Sequence, residues 1–250
     1  MNKLSKYEKD YSSLPFENIL RKYRIKNLCA FLNVSPHQNI LDIGCGNDPI
    51  YTYFNDFTKV TVIEPGQAFY KNAQKLAKSN SKIQIVNDFV ENTVDLWESE
   101  SFDFIIIGGF LHEIHNPDEV LAAINKISSN HSLVYSYVPN SKSFHRLLAF
   151  EMSITDSIYQ KSGHDKLFNR QNNFDLQSFN ELLEKNGFQC IDKGSYFVKP
   201  FTHNQMGELI KKNIFDSTIF DGLDKMIKYL PEFGSELYVL FKLNDQINRP

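Results

Sequence analysis

The stretch Leu41-Asp42-Ile43-Gly44-Cys45-Gly46-Asn47-Asp48-Pro49 sets two glycines one residue apart directly behind a short apolar run. Lacking a Cβ, Gly44 and Gly46 let the chain turn sharply and let a ligand lie against bare backbone. The pattern predicts a buried strand, a tight turn and a helix opening at Pro49, whose first N–H groups have no partner within the helix. Glu64 closes a second apolar run, 18 residues after Gly46. An acid at that place can accept hydrogen bonds from both hydroxyls of a ribose, which points to an adenosine without a 2′-phosphate. Asp88-Phe89 closes a third run and pairs an acceptor for an adenine amino group with an aromatic surface for the ring. Asp42 within the first run and Gly109 after the fourth complete the set of candidate nucleoside-ligand contacts.

A second group of residues suits proton transfer. A hydroxyl that is to be substituted needs a general base, most often histidine. Of the seven histidines, His112 follows the fourth apolar run, His145 the fifth, and His164 lies in an irregular polar stretch. His37, His115, His131 and His203 read as surface or cap residues. Tyr137 and Arg146 lie near enough in sequence to contact a substrate. His112-Glu113-Ile114-His115 is a weak metal signature, because a helical two-histidine site uses a spacing of four and a third ligand.

These residues need a scaffold. Short apolar runs at 39–43, 60–63, 83–86, 104–107 and 133–138 alternate with helical patterns at 49–55, 66–79, 90–98 and 117–129, the last with Asn116 as N-cap and Pro117 at its first position. Such alternation implies right-handed βαβ units and a doubly wound, mostly parallel sheet with helices on both faces. A helix over 14–33 precedes it. A helix from Asp175 to Gly187, strands at 188–191, 195–198 and 237–242, and helical material over 204–229 follow. The expected organisation is one domain over 1–250, with a helical cap at 1–38, a ligand-binding core at 39–138, a lid at 139–174 and a C-terminal part at 175–250.

Composition excludes several classes. Lys plus Arg total 27 against 30 for Asp plus Glu, so the net charge is −3 and no cationic run offers itself to nucleic acid. The three cysteines, Cys29, Cys45 and Cys190, form no close pair. The N-terminal stretch has no apolar core of a signal peptide, and no apolar run is long enough to span a bilayer, so a cytoplasmic protein is expected.

From Asn39 to Asn140 the chain resembles the core of class I S-adenosylmethionine-dependent methyltransferases. LDIGCGNDP is similar to the family's first motif, VTVIEPG to the acidic end of its second strand, VNDFVEN to its adenine loop and FDFIIIGGFLHEIHNP to its fourth strand and the turn that follows. The resemblance implies a Rossmann-like sheet of seven strands with an antiparallel last strand, and S-adenosyl-L-methionine as cofactor. It also implies that Gly44 and Gly46 flank the methionine part, that Glu64 holds the ribose and that Asp88 with Phe89 holds the adenine. A segment before the core often meets the methionine carboxylate, for which Tyr11 and Arg24 are the candidates here, with Arg21 a competitor. The third glycine of the usual turn is replaced by Asn47-Asp48-Pro49, and the turn before the fifth strand is Ser129-Asn130-His131.

The later segments resemble bacterial methyltransferases of sugar and surface-polysaccharide pathways, which implies carbohydrate biosynthesis and a small-molecule hydroxyl acceptor, with no nucleic-acid or membrane partner and a homodimer left open. An amine, carboxyl or phosphate acceptor is the alternative. A non-catalytic scaffold on the same fold and a nicotinamide-dependent oxidoreductase are competing readings; the missing glycine at the helix start speaks against a pyrophosphate site.

Overall fold

The computed structural model describes residues 15–97, 102–161 and 171–244, so Tyr11 and His164 lie outside the described residues. The strands are β1 (Asn39–Ile43), β2 (Lys59–Ile63), β3 (Ile83–Val86), β4 (Phe104–Ile107), β5 (Leu133–Pro139), β6 (Phe188–Tyr196) and β7 (Glu236–Leu243). They form one seven-stranded sheet in the order β3-β2-β1-β4-β5-β7-β6. The first five pair in parallel, and β7 runs antiparallel to both β5 and β6. The chain winds outward from β1 through β2 to β3, then returns to place β4 on the other side of β1. That reversal opens a crevice at the carboxyl ends of β1 and β4, where open α/β sheets bind ligands. Ile43 stands opposite both Ile63 and Ile107, so three strands end level and their loops rise together.

The strands read as continuous apolar runs because both faces are covered. One face of β1 and β4 (Leu41, Ile43, Ile105, Ile107) packs on α3 (Pro117–Ile127) through Leu121 and Ile124, and the same core takes in Phe179 and Leu183 of α5 (Leu176–Lys185). The other face (Ile40, Val60, Val62, Phe104, Ile106) shares a core with Leu28 and Leu32 of α1 (Pro15–Leu32). Each such side chain, fully buried, contributes on the order of 1.5–3 kcal/mol. A third core joins Phe16, Leu20 and Tyr23 of α1 to Phe197, Met206 of α6 (His203–Lys211) and Phe220 of α7 (Ser217–Lys225). The helical insert before β7 is thereby fastened to α1. The remaining helices are α2 (Gln67–Ala77) and α4 (Phe144–Glu151).

Several local expectations fail for identifiable reasons. The helix expected at 49–55 is a single 3-10 turn, Ile50–Thr52: Pro49 is extended (φ −56, ψ 135) and the Thr52 hydroxyl bonds back to its carbonyl. The helix expected at 90–98 is two 3-10 turns, with the Thr93 hydroxyl on the Val90 carbonyl. In both, a threonine side chain takes up a backbone carbonyl and competes with the α-helical pattern. Asn116 holds the N-cap position of α3 but makes no cap bond, since its side chain donates to Glu119. The strands expected at 188–191 and 195–198 are one strand with a bulge between Cys190 and Asp192, ending at Tyr196 because Phe197 takes the left-handed region (φ 57). Asp175 caps α5 in a capping box with Ser178, and Gly187 follows with φ 85. The stretch 139–174, expected to be irregular, contains α4.

Candidate active site

The glycine turn is shaped by close approaches. Gly44 and Gly46 have φ of +70 and +57, the left-handed region that glycine occupies without strain. A Cβ on Gly44 would come within 2.7 Å of the Phe110 ring, and one on Gly108 within 2.3 Å of the Gly44 carbonyl. Around Gly46 no atom lies within 4 Å of such a Cβ, so this side of the turn is an open cradle. Glu64, buried at the end of β2, accepts from the Gly46 amide at 3.0 Å and the Gly66 amide at 2.7 Å. It locks the turn beside the ligand space.

Asp42 is buried in the strand before the turn and accepts from the Ile50 amide at 2.8 Å. Burial pushes its carboxyl up to about 7, against the pull of the Ile50 amide and with Glu64 and Asp48 adding to it. Asp48 accepts from Arg21 of α1 at 2.6 Å and from the Tyr53 hydroxyl at 2.9 Å. Phe89 lies on the wall with 56% of its surface exposed, whereas Asp88 sits beside the wall, bonded to the Phe89 amide and to Asn92.

The cavity above these residues has a volume of about 1140 Å³. Sites for one drug-sized ligand occupy roughly 300–1,000 Å³, so the space admits two ligands side by side. It is lined by Asp42, Gly44, Gly46, Glu64 and Phe89 of the turn and strand ends, and also by His112, His145, Arg146, Lys199, His203 and Glu236. Gly109 and Tyr137 line the same cavity; a Cβ on Gly109 would lie 2.5 Å from the Tyr137 ring. Burial raises the Tyr137 phenol to about 12, with Arg24 and the Gly109 amide opposing. It is a neutral hydroxyl at physiological pH.

The candidate histidines divide. His112 is buried with Nε2 at 3.3 Å from Glu113, so it pairs with its chain neighbour at the cavity wall. His145, in α4, places Nδ1 at 3.1 Å from the Ser143 hydroxyl. Arg146 donates to the carbonyls of Ile158 at 2.9 Å and Gln160 at 2.7 Å, which ties the chain beyond α4 to the helix. Arg24 grips Glu236 of β7 with two bonds of 2.9 and 2.5 Å and reaches Glu17 at 2.9 Å, its guanidinium 5.1 Å from the centre of the Tyr137 ring. Arg21 is turned to Asp48.

Other residues of the cavity wall carried no strong sequence signal. Lys199, only 3% exposed, has Nζ at 2.9 Å from Nδ1 of His203, whose Nε2 is 3.4 Å from Glu17. Burial works against the charge on Glu17, but Arg24 and His203 prevail and hold it well below the usual carboxylate range. Glu17, Arg21 and Arg24 share one face of α1 at three- and four-residue spacing, a pattern the sequence does display. Lys199 follows a strand end and His203 opens α6, places where charged residues are ordinary. Nothing local marks them as wall residues.

A family model described as a methyltransferase domain matches residues 17–193. The chain belongs to the methyltransferase domain family. It is a class I S-adenosylmethionine-dependent methyltransferase, and S-adenosylmethionine is its cofactor. No curated protein sequence matches the chain. Among solved structures, an S-adenosylmethionine-dependent methyltransferase of Thermotoga maritima, described as a possible histamine N-methyltransferase, is similar at 15% identity and TM-score 0.64 over 95% of this chain and 98% of its own. A putative sarcosine dimethylglycine methyltransferase of Galdieria sulphuraria is similar at 15% identity and TM-score 0.56, over 90% and 86%. A structure described as the [4+2]-cyclase SpnF has the same fold at 13% identity and TM-score 0.56, over 88% and 81%. The fold alone therefore does not choose the reaction.

The cradle at Gly46, the buried Glu64 carboxylate beside it and the exposed Phe89 ring fit the methyltransferase's cofactor in size and polarity. Among the described residues no helix is long and apolar enough to cross a membrane.

Proposed function

We propose that S-adenosylmethionine lies along the glycine turn and that its methyl group goes to a hydroxyl of a small neutral polyol, a sugar or saccharide precursor. In this reading Gly44, Gly46 and Asp42 border the methionine part, Glu64 accepts from the ribose hydroxyls, Phe89 carries the adenine ring with Asp88 at its edge, and Gly109 with Tyr137 forms the passage to the acceptor. The observation that carries it is Glu64. Its two oxygens accept from the Gly46 and Gly66 amides, which hold the carboxylate at the end of β2 directly beside the glycine turn, where a ribose would lie.

The bound cofactor supplies a methyl group already activated on a sulfonium, so the protein's task is alignment and exclusion of water. Gly109 admits the Tyr137 ring and sets the width of the passage. In this reading His112, His145 and Arg146, with the α1 residues Glu17 and Arg24, which all line the cavity, border the acceptor. A neutral polyol is supported by the balance of charged lining residues, Arg24 and Lys199 with Glu17 and Glu236. Ser157, Gln160, Thr202, Asn204 and Ser235 add hydrogen-bonding groups along the same cavity.

Calorimetric titration with S-adenosylmethionine and its demethylated product tests the site. A hydrogen bond to a charged group contributes roughly 1.5–3 kcal/mol, so Glu64→Gln is expected to weaken both ligands by about 10-fold or more. Unchanged affinity in a folded Glu64→Gln protein removes Glu64 from the ribose site. Incubation with candidate polyols and amines, followed by mass spectrometry, then distinguishes O- from N-methylation.

A further inference from the structure

We infer that the acceptor carries an apolar chain, which leaves the cavity over the end of α4 and residues 152–159. This rests on the reading that the cavity takes a polyol acceptor beside the cofactor. α4 holds Phe144, Leu147, Leu148, Ala149 and Phe150, yet none of its residues is buried. α3 buries Val120, Leu121, Ile124 and Ile127. Directly after α4, Met152 is 60% and Ile154 66% exposed, and Phe150 and Tyr159 are exposed as well. Soluble proteins rarely leave several large apolar side chains in water within one short stretch unless that surface binds something.

The backbone of this stretch is pinned. The amides of Ser153 and Ile154 donate to the carbonyls of Phe150 and Ala149, both at 2.9 Å, and Arg146 grips the carbonyls of Ile158 and Gln160. The Asn173 side chain donates to the Tyr159 carbonyl at 2.6 Å, and the Tyr159 hydroxyl to Asp175 at 2.8 Å, so the polar end of that side chain is satisfied. The occupant follows from where the surface leads. Ile154 is exposed and also lines the cavity, together with Ala149 and Ile158. The apolar surface and the acceptor space therefore meet at Ile154. A molecule whose polar part sits in the cavity can lay an apolar part over Ile154 toward Met152. From Leu147 to Gln160 the only charged residues are Glu151 and Asp156, with no lysine or arginine to meet an anionic lipid surface. The surface suits a single chain on the acceptor rather than a bilayer.

Titration of the full-length protein, saturated with the demethylated cofactor, with methyl, butyl, hexyl and octyl glucosides below their micelle concentrations tests this. Nuclear magnetic resonance of labelled Ile and Met methyl groups follows binding, and Ile154→Ser and Met152→Ser assign the two signals; both side chains are exposed, so neither substitution opens the core. Each methylene moved from water onto an apolar surface strengthens binding by up to about 4-fold, so affinity is expected to rise by about 2–4-fold per methylene, with the Ile154 and Met152 signals shifting together. Ile154→Ser should weaken octyl glucoside by about 5-fold or more and flatten the dependence on length. Equal affinity for all four glucosides, no binding of any, or a dependence in Ile154→Ser as steep as in wild type overturns the proposal. A dimer that Ile154→Ser dissolves, or sedimentation with neutral vesicles without any dependence on chain length, also overturns it, by giving the surface to a second copy or to a bilayer. Alkanols of the same lengths separate the proposal from the reading beneath it. If they gain with length as the glucosides do and the sugar adds nothing, the apolar surface stands and the polyol reading fails.

Discussion

At the scale of single residues, the glycine turn combines two acids with opposite assignments. Glu64 is tied by two backbone amides, while Asp42 is buried against Glu64 and Asp48 with one amide in compensation. An Asp carboxyl raised to about 7 in the folded chain binds its proton more tightly there than in the unfolded chain, where its value is about 3.9. Between about pH 4 and 7 the unfolded state has released the proton and the folded state has not, so this group favours folding less as pH rises, and the loss is complete above 7. The full difference is about 4 kcal/mol by the size of the shift. Asp42→Asn keeps an acceptor for the Ile50 amide and cannot ionise. It is expected to match wild type at pH 4 and to exceed it in urea-unfolding stability at pH 8; equal pH profiles would show that Asp42 titrates ordinarily. The place of Glu64 was legible from its spacing after Gly46, since a strand end must put it at the crevice. The titration of Asp42 was not, because it depends on carboxylates that only the folded turn brings together.

At the scale of elements, α1 is held to the sheet by charge as well as by its apolar face. Arg24 bridges Glu17 on its own helix and Glu236 on β7, all three buried. Removing one partner of a buried pair leaves the others uncompensated and costs about 3–5 kcal/mol. Arg24→Met is expected to lower unfolding stability by that order, and Arg24→Lys to recover little of it, because an ammonium cannot reproduce the two-bond grip on Glu236. A similar knot ties the base of the 139–174 stretch: Asp175 accepts from the Ser178 amide, from Lys142 and from the Tyr159 hydroxyl, each at 2.8 Å. Asp175→Ala should cost about 1 kcal/mol as a lost cap and speed amide exchange in α4 and through 152–161, while β1 and β4 keep their protection. Uniform exchange in both proteins would show that Asp175 does not secure this segment. The apolar runs made the parallel strands readable, and the capping box at Asp175 made α5 readable. The short 3-10 turns at 50–52 and 90–96 were not, since a hydroxyl that bonds back to a carbonyl looks the same in sequence as one that points to solvent. The ion pairs of α1 were half visible: the helix face showed three charged residues, but Glu236 lies 212 positions from Arg24.

At the scale of the whole molecule, the missing helix after Pro49 decides between the two nucleotides that such a sheet can bind. A dinucleotide's pyrophosphate relies on the N–H groups of a helix that opens at the glycine turn. Here the chain leaves the turn through an extended proline into one 3-10 turn, and the Ile50 amide is already taken by Asp42. The open cradle at Gly46 and the carboxylate of Glu64 suit a ribose linkage without phosphate instead. A ligand that binds only the folded chain stabilises it by about 2.7 kcal/mol at one hundred times its dissociation constant. For a chain of this length each kcal/mol moves the melting temperature by about 2–4 °C, so saturating S-adenosylmethionine is expected to raise it by about 5–11 °C. The demethylated product should act in the same direction, NAD should leave the transition where it is, and Glu64→Gln should need a correspondingly higher ligand concentration for the same shift. Thermal melts followed by dye fluorescence over a series of ligand concentrations make the comparison. A shift with NAD and none with S-adenosylmethionine would reverse the assignment of the crevice, because both ligands compete for the same turn and only one can have its phosphate-binding helix or its open cradle there.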